Sequence, residues 1–205
     1  MLDKARFPTA AEYLERLPLG FDSFAQCRVR ALVYEPLASD FPELAKAFPE
    51  GQLGQLLRRE LNPNEWIPEV VGQVANLMVR DACLTSDAEF LDWTFRANER
   101  VFEKPLVRTL MRLLSPTLLV IGAARRWSTL HDGSALSSTP VQQVGARVQT
   151  IGQLRFPEGL FHPVFLESLT AAFRAALGLA RGRDVTVELG RRTPREADYV
   201  VSWAA

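Results

Sequence analysis

The chain of 205 residues has two histidines, His131 and His162, and two cysteines, Cys27 and Cys83. With serines and carboxylates, these are the residue types that nucleophilic catalysis or a metal site would draw on. Nucleophilic catalysis needs a base beside a serine or cysteine. Neither cysteine has a histidine next to it in sequence, and no serine sits in a Gly-x-Ser-x-Gly elbow. A zinc site would use three or four Cys, His or carboxylate ligands at short spacing, and no such run is present. Gly51-Gln52-Leu53-Gly54 lacks the further glycine and the lysine of a phosphate-cradling loop. The expectation is a protein that is not an enzyme and holds no metal. Cys27 and Cys83 lie among apolar residues and read as small core thiols in a reducing compartment.

A heme would need an axial ligand, usually a histidine in an apolar pocket. His131 is the candidate, because it follows a long helical pattern and precedes a hairpin pattern. Asp132-Gly133 beside it argues instead for a solvated helix end, where a cation suits the helix dipole. His162 precedes Pro163 at a helix start and reads as a capping or surface residue. Arg125, Arg126 and Trp127 form a basic-aromatic cluster with two readings. One is a carboxylate or phosphate clamp at a cavity mouth; the other is a solvated face with Trp127 in the core. The candidate binding set is therefore His131, Trp127 and Arg126, with Leu154, Phe156 and Phe173 lining an apolar cavity. No cofactor is expected, with heme as the minor alternative.

The elements that must carry these residues are legible from periodicity. Thr9-Ala10-Ala11-Glu12 has the form of a capping box opening a short helix. Further helices are expected from about Asp22 to Val33, after Pro42, and from Gln52 to Leu61. Asn64 reads as an N-cap with Pro68 in the first turn. Ile67, Val70, Val71, Val74, Leu77 and Met78 form one apolar stripe. Ser86-Asp87-Ala88-Glu89 opens a helix carrying Phe90, Trp93, Ala97 and Val101, and another carries Leu106, Leu110 and Leu113. Ser115-Pro116 starts a helix running through Leu119, Ala123 and Trp127 toward His131.

The period then changes to two. Val148, Thr150, Gly152, Leu154 and Phe156 alternate with polar or outward positions. Leu136 to Val144 can pair with them as the first strand of a hairpin, and Pro140 marks that strand as an edge or bulged one. A helix follows from Pro163, with Arg181-Gly182-Arg183 closing it. Strands around Val185–Leu189 and Tyr199–Trp203 form a second hairpin, joined by the polar link Arg191 to Asp198. The expected fold is α+β: an N-terminal helical layer, then a hairpin, helix, hairpin unit making a four-stranded antiparallel sheet. It reads as one domain over 1–205, mainly helical over 1–114, with the helix-hairpin-helix-hairpin part over 115–205.

Lys plus Arg equals Asp plus Glu, so the formal net charge is zero. That gives no general attraction to nucleic acid or anionic lipid. Arg191, Arg192 and Arg195 read as a charged surface loop. The longest apolar run, Leu118 to Ala124, is too short to span a membrane, and the first residues carry no apolar signal core. A cytoplasmic location is the expectation.

The segment from about Ser115 to Trp203 resembles the 4-vinyl-reductase-like and heme-nitric-oxide-binding-like superfamily. The residues that carry this are Ser115-Pro116 opening a helix, the Trp127 region, a hairpin, Phe161-His162-Pro163 opening a helix, and a hairpin ending in Val201-Ser202-Trp203. The whole chain also resembles a group of uncharacterised myxobacterial proteins, through pieces such as Glu65-Trp66-Ile67-Pro68-Glu69-Val70 and Ala124-Arg125-Arg126-Trp127. The superfamily resemblance implies an apolar cavity between helices and sheet. It also implies a role in small-molecule sensing, heme-based gas sensing or vesicle-transport assembly. The heme sensors' Tyr-x-Ser-x-Arg motif and the metal-binding cysteine cluster of other members have no counterpart here. The leading expectation is a non-enzymatic domain that binds an apolar small molecule in a sensory or adaptor role. The alternatives are a protein-interaction or homodimer scaffold without ligand, and a heme-based sensor. Self-association or a protein partner is expected, and nucleic acid is not.

Overall fold

The computed structural model describes residues 2–48, 50–84, 86–102 and 114–205. The chain forms two compact units. The first runs to Phe90 and takes in Leu130–Gly133 and Pro157–Phe165; the second comprises Leu91–Thr129, Ser134–Phe156 and Leu166–Ala205.

In the first unit the elements are α1 (Pro8–Arg16), β1 (Arg28–Arg30), α2 (Glu35–Asp40), α3 (Gly51–Leu57), β2 (Trp66–Pro68), α4 (Glu69–Ala82) and β3 (His131–Asp132). Short 3-10 turns at Gly20–Asp22, Ala31–Tyr34 and Pro42–Ala47 connect them. The expected stripe on α4 is realised: Val70, Val71, Val74, Leu77 and Met78 are all buried. Glu69 and Gln73 are buried on the same helix, so α4 is a central helix with polar groups inside its apolar jacket. Ala10, Ala11 and Tyr13 of α1 are also buried. The Ala10 N–H donates to Asp81 Oδ2 at 3.0 Å, tying α1 to the end of α4.

Several local expectations change. Asp22 to Val33 is not a helix, because Arg28–Arg30 is a strand paired antiparallel with both β2 and β3. Val29 thereby faces Ile67 on one side and His131 on the other. Partners far away in sequence override a local helical pattern here. Asn64 is not the N-cap of α4; Trp66–Pro68 is strand and the helix begins at Glu69, after Pro68. The residue before a proline is biased to extended backbone, which suits Ile67 in β2. At α1 the N-cap is Phe7, with no side-chain cap bond; Thr9 Oγ1 instead accepts from Arg80 at 3.0 Å. The cap at Ser86 holds, with the Glu89 N–H donating to its hydroxyl at 3.2 Å.

The second unit contains the greater part of α5 (Asp87–Phe102), then α6 (Pro116–Ile121), α7 (Ala123–Leu130), β4 (Ala135–Ser138), β5 (Gln142–Val144), β6 (Arg147–Arg155), α8 (Pro163–Leu179), β7 (Thr186–Arg192) and β8 (Glu196–Ala204). The expected helix carrying Leu106, Leu110 and Leu113 lies outside the described residues. Ser115 caps α6 as expected, accepting from the Leu118 N–H at 3.2 Å. The helix does not continue to His131: it breaks at Gly122 into α6 and α7.

The sheet is antiparallel and five-stranded, in the order β4-β6-β8-β7 with β5 also on β6. The expected single strand Leu136 to Val144 is split, because Thr139-Pro140-Val141 interrupts pairing between β4 and β5. Pro140 cannot donate a ladder hydrogen bond, which accounts for the break. β6 and β8 pair from Arg147–Ala204 to Arg155–Glu196. The closing hairpin reaches further than the expected link, since β7 runs to Arg192 and β8 starts at Glu196. Tyr199 anchors this core. Its hydroxyl donates to the Leu166 carbonyl at 2.9 Å, and its ring meets Phe173 edge-on at 5.1 Å. Helix and antiparallel sheet together make the α+β class.

Candidate functional site

The strongest concentration of buried polar chemistry is in the first unit. β2 delivers its chain directly into α4, placing Glu69 in the first turn, where an acidic residue suits the helix dipole. β3 pairs with β1, placing His131 opposite Val29. The result is a hydrogen bond between His131 Nδ1 and Glu69 Oε2 at 2.9 Å, with both side chains buried. The other carboxylate oxygen, Oε1, accepts longer bonds from Tyr34 Oη and Gln73 Nε2, each at 3.4 Å. The Glu69 N–H donates to the Cys27 carbonyl at 2.9 Å, closing the frame.

Two glycines make the approach feasible. At Gly72 an added Cβ would stand 2.1 Å from Tyr34 Oη and 2.2 Å from Cζ, so the Tyr34 ring needs a bare backbone there. Gly133 has φ +78°, and a Cβ on it would meet Cys27 Sγ at 2.6 Å. The Cys27 thiol donates to the Gly133 carbonyl at 3.5 Å.

The electrostatics follow from burial around one carboxylate. Burial pushes the Cys27 thiol up to about 11, helped by the charges of Glu69 and Asp132. Burial, then the Glu69 charge, holds Tyr13 and Tyr34 far above the ordinary phenol range. A thiol so raised is protonated at neutral pH and is a poor nucleophile. The cluster therefore fixes geometry and does not activate Cys27.

His131 is thus not a solvated helix end. It sits on a strand and is 5% exposed. His162 behaves as a capping residue: its Nδ1 accepts from the Val164 N–H at 3.3 Å, and its ring meets Tyr13 edge-on. Burial lowers its basicity, followed by the charges of Arg16 and Arg80. His131 belongs to the first unit, and Arg126, Trp127, Leu154, Phe156 and Phe173 belong to the second. Arg126 donates to the carbonyls of Leu118 and Leu119, at 3.2 and 2.5 Å, and so caps the end of α6. Trp127 is buried and its Nε1 donates to Ser134 Oγ at 3.0 Å. Leu154 and Phe156 are buried, and Phe173 packs on Tyr199. Sequence reasoning missed Glu69, Gln73 and Tyr34. The available signal was a glutamate and a glutamine four residues apart, both set among the apolar residues of α4's first turns.

No protein-family model and no curated protein matches the chain. Three solved structures match it, two of them with a TM-score above 0.5. One, from work on modulating heme redox potential through protein-induced porphyrin distortion, aligns with a TM-score of 0.54 and 7% identity over 86% of this chain and 99% of that one. The other, from work on the molecular mechanism of H-NOX activation, aligns with a TM-score of 0.55 and 7% identity over 85% of this chain and 96% of that one. The chain is similar in fold to H-NOX domains. At such identity the likeness concerns the fold alone.

An H-NOX-like fold raises heme, and this chain's residues can be tested against it. A carboxylate on Nδ1 is the usual partner of a metal-bound imidazole, so His131 has suitable chemistry. Its surroundings are unsuitable: an imidazole facing a heme-sized space would show accessible surface, and His131 is 5% exposed. His162 accepts a hydrogen bond at Nδ1, which leaves its proton on Nε2 and no lone pair there for iron. The cysteines are committed as well, Cys27 to the Gly133 carbonyl and Cys83 to Glu43. The three tyrosines donate to Leu160, Glu69 and Leu166. These side chains do not fit heme ligation. Among the described residues, no group of three or more His, Cys, Asp or Glu is arranged to hold a metal ion, and no helix is long and apolar enough to cross a membrane.

Proposed function

We propose that the chain is a non-enzymatic domain that binds a small apolar ligand in a sensory or adaptor role, on an H-NOX-like fold without heme iron. One coincidence carries this reading. The fold likeness extends over 85% of the chain, yet each histidine, cysteine and tyrosine is already committed to a hydrogen bond within the protein. The fold is similar to that of proteins studied for heme redox potential and for H-NOX activation, while this chain's histidines, cysteines and tyrosines are held in hydrogen bonds of their own.

The test is an absorbance spectrum and native mass spectrometry on protein purified without added ligand, followed by hemin titration. The expected result is no Soret band, no saturable hemin site, and binding of an apolar probe or a co-purified mass. A one-to-one hemin complex whose spectrum changes in His131→Ala would overturn the heme-free part. Protein that carries no ligand and binds no apolar probe would overturn ligand binding.

One observation favours a scaffold reading. Leu118 and Ile121, three residues apart on α6, are 54% and 65% exposed. An exposed apolar pair at helical spacing suits a protein contact. Light scattering tests it: a monomer at all concentrations counts against a homodimer.

A further inference from the structure

We propose that a small pocket in the first unit is the ligand site, and that its ligand is a monocarboxylate whose apolar body is no larger than one small ring. This rests on the ligand-binding reading above. The pocket holds about 110 Å³. Its apolar wall is made by Ala31, Tyr34, Ala38, Leu56, Leu61 and Pro63. An apolar cavity of ~150 Å³ accommodates benzene, so this smaller, open pocket buries only part of a single ring or a short branched chain. Ala31, Tyr34, Ala38 and Leu56 are buried and form its floor, while Arg59 and Pro63 are exposed at its open mouth.

Arg59 supplies the polar end. It lines the same pocket, is exposed, and its guanidinium has no hydrogen-bond or ion-pair partner among the described residues. Its neighbour Arg58 is committed, donating to Glu60 at 2.7 and 2.9 Å and to the Phe48 carbonyl at 3.0 Å. The backbone at Arg59 is left-handed. It follows the last turn of α3 with φ +59°, the left-handed position that glycine usually fills. The Arg59 N–H donates to the Leu56 carbonyl at 3.1 Å, and the Glu60 N–H to the Gln55 carbonyl at 2.9 Å. These bonds close the C-terminal end of α3 and set Arg59 at the pocket wall.

A guanidinium recognises carboxylate and phosphate alike. The pocket chooses between them, because Glu35 also lines it. A second anion of high charge would face repulsion from that carboxylate, which disfavours phosphate and dicarboxylates. A singly charged carboxylate engaging Arg59, with its hydrocarbon end against Tyr34 and Leu56, meets both conditions. Tyr34 is shared: its hydroxyl donates to Glu69, so ligand contact reaches the buried Glu69–His131 pair through one side chain.

The experiment titrates benzoate, and benzyl alcohol as its neutral counterpart, into the full isotope-labelled chain and into Arg59→Gln, following amide and methyl resonances. The expected result is saturable benzoate shifts at Tyr34, Ala38 and Leu56. Arg59→Gln should lose at least about tenfold in benzoate affinity, the size of one charge-assisted hydrogen bond. It should bind benzyl alcohol unchanged. Equal benzoate affinity in Arg59→Gln, with its spectrum still that of a folded protein, would overturn the carboxylate assignment. An apolar probe that binds while these resonances stay still would overturn this site and leave the ligand-binding reading standing. Absence of any probe binding would overturn both.

Discussion

Glu69 Oε2 and His131 Nδ1 meet at 2.9 Å although the residues are 62 positions apart in the chain. The contact joins the first turn of the central helix α4 to a two-residue strand. Removing one member of such a buried pair leaves the other uncompensated. Glu69→Ala should therefore cost about 3–5 kcal/mol of stability, read from urea denaturation at neutral pH. Replacing both residues with leucine should cost less than the sum of the single changes. A loss below about 1 kcal/mol for Glu69→Ala would mean that the pair contributes no more than a surface ion pair.

Gly72→Ala should be destabilising out of proportion to its size. The new Cβ would lie 2.1–2.3 Å from Oη, Cζ and Cε2 of Tyr34. Overpacking of this kind costs about 1–3 kcal/mol. Tyr34→Leu in the same chain should recover part of the loss, and a double-mutant cycle measures the coupling. Simple additivity would show that Gly72 and Tyr34 do not meet in solution.

Stability should fall in the alkaline range. Cys27 is raised from 9.0 to about 11, so between those values the unfolded chain has given up a proton that the folded chain still holds. The folded state is favoured fully below about pH 9 and loses that advantage as pH rises toward about 11. Tyr13, Tyr34 and Tyr199 are raised too, each chiefly by burial. Phenolate absorbance should therefore appear together with the loss of circular dichroism, in one cooperative step. Gradual phenolate formation in a folded chain would contradict the burial of these three hydroxyls.

Arg59→Gly should be more stable than the parent and should bind benzoate less well. The left-handed backbone at Arg59 costs a side-chain-bearing residue roughly 1–2 kcal/mol. Glycine removes that strain but adds freedom to the unfolded chain, leaving a gain of about 0.5–1 kcal/mol. Thermal denaturation checks the first effect and the benzoate titration the second. A fall in melting temperature would remove the argument from backbone strain.

Much of the fold can be read from neighbours in sequence. The alternation from Val148 to Phe156 and the apolar stripe from Val70 to Met78 each report a local period, and the hydroxyls of Ser86 and Ser115 cap helices as their positions suggest. Pro140 marks the interruption in pairing because a missing N–H acts wherever it is placed. None of this needs the rest of the chain.

The site is different, because its members come together through pairing between distant segments. Arg28–Arg30 is a strand only because β2 and β3 supply its partners, and that same pairing moves His131 from an apparent helix end into the interior. Glu69 looks like an ordinary first-turn acid until β3 brings an imidazole to it. Arg59 and Tyr34 line one pocket because the turn after α3 folds back toward the 3-10 turn before α2. Local periodicity is carried by adjacent residues and survives in the bare sequence. The partners of a buried charge, and the space left beside it, exist only once long-range pairing has closed the chain around them.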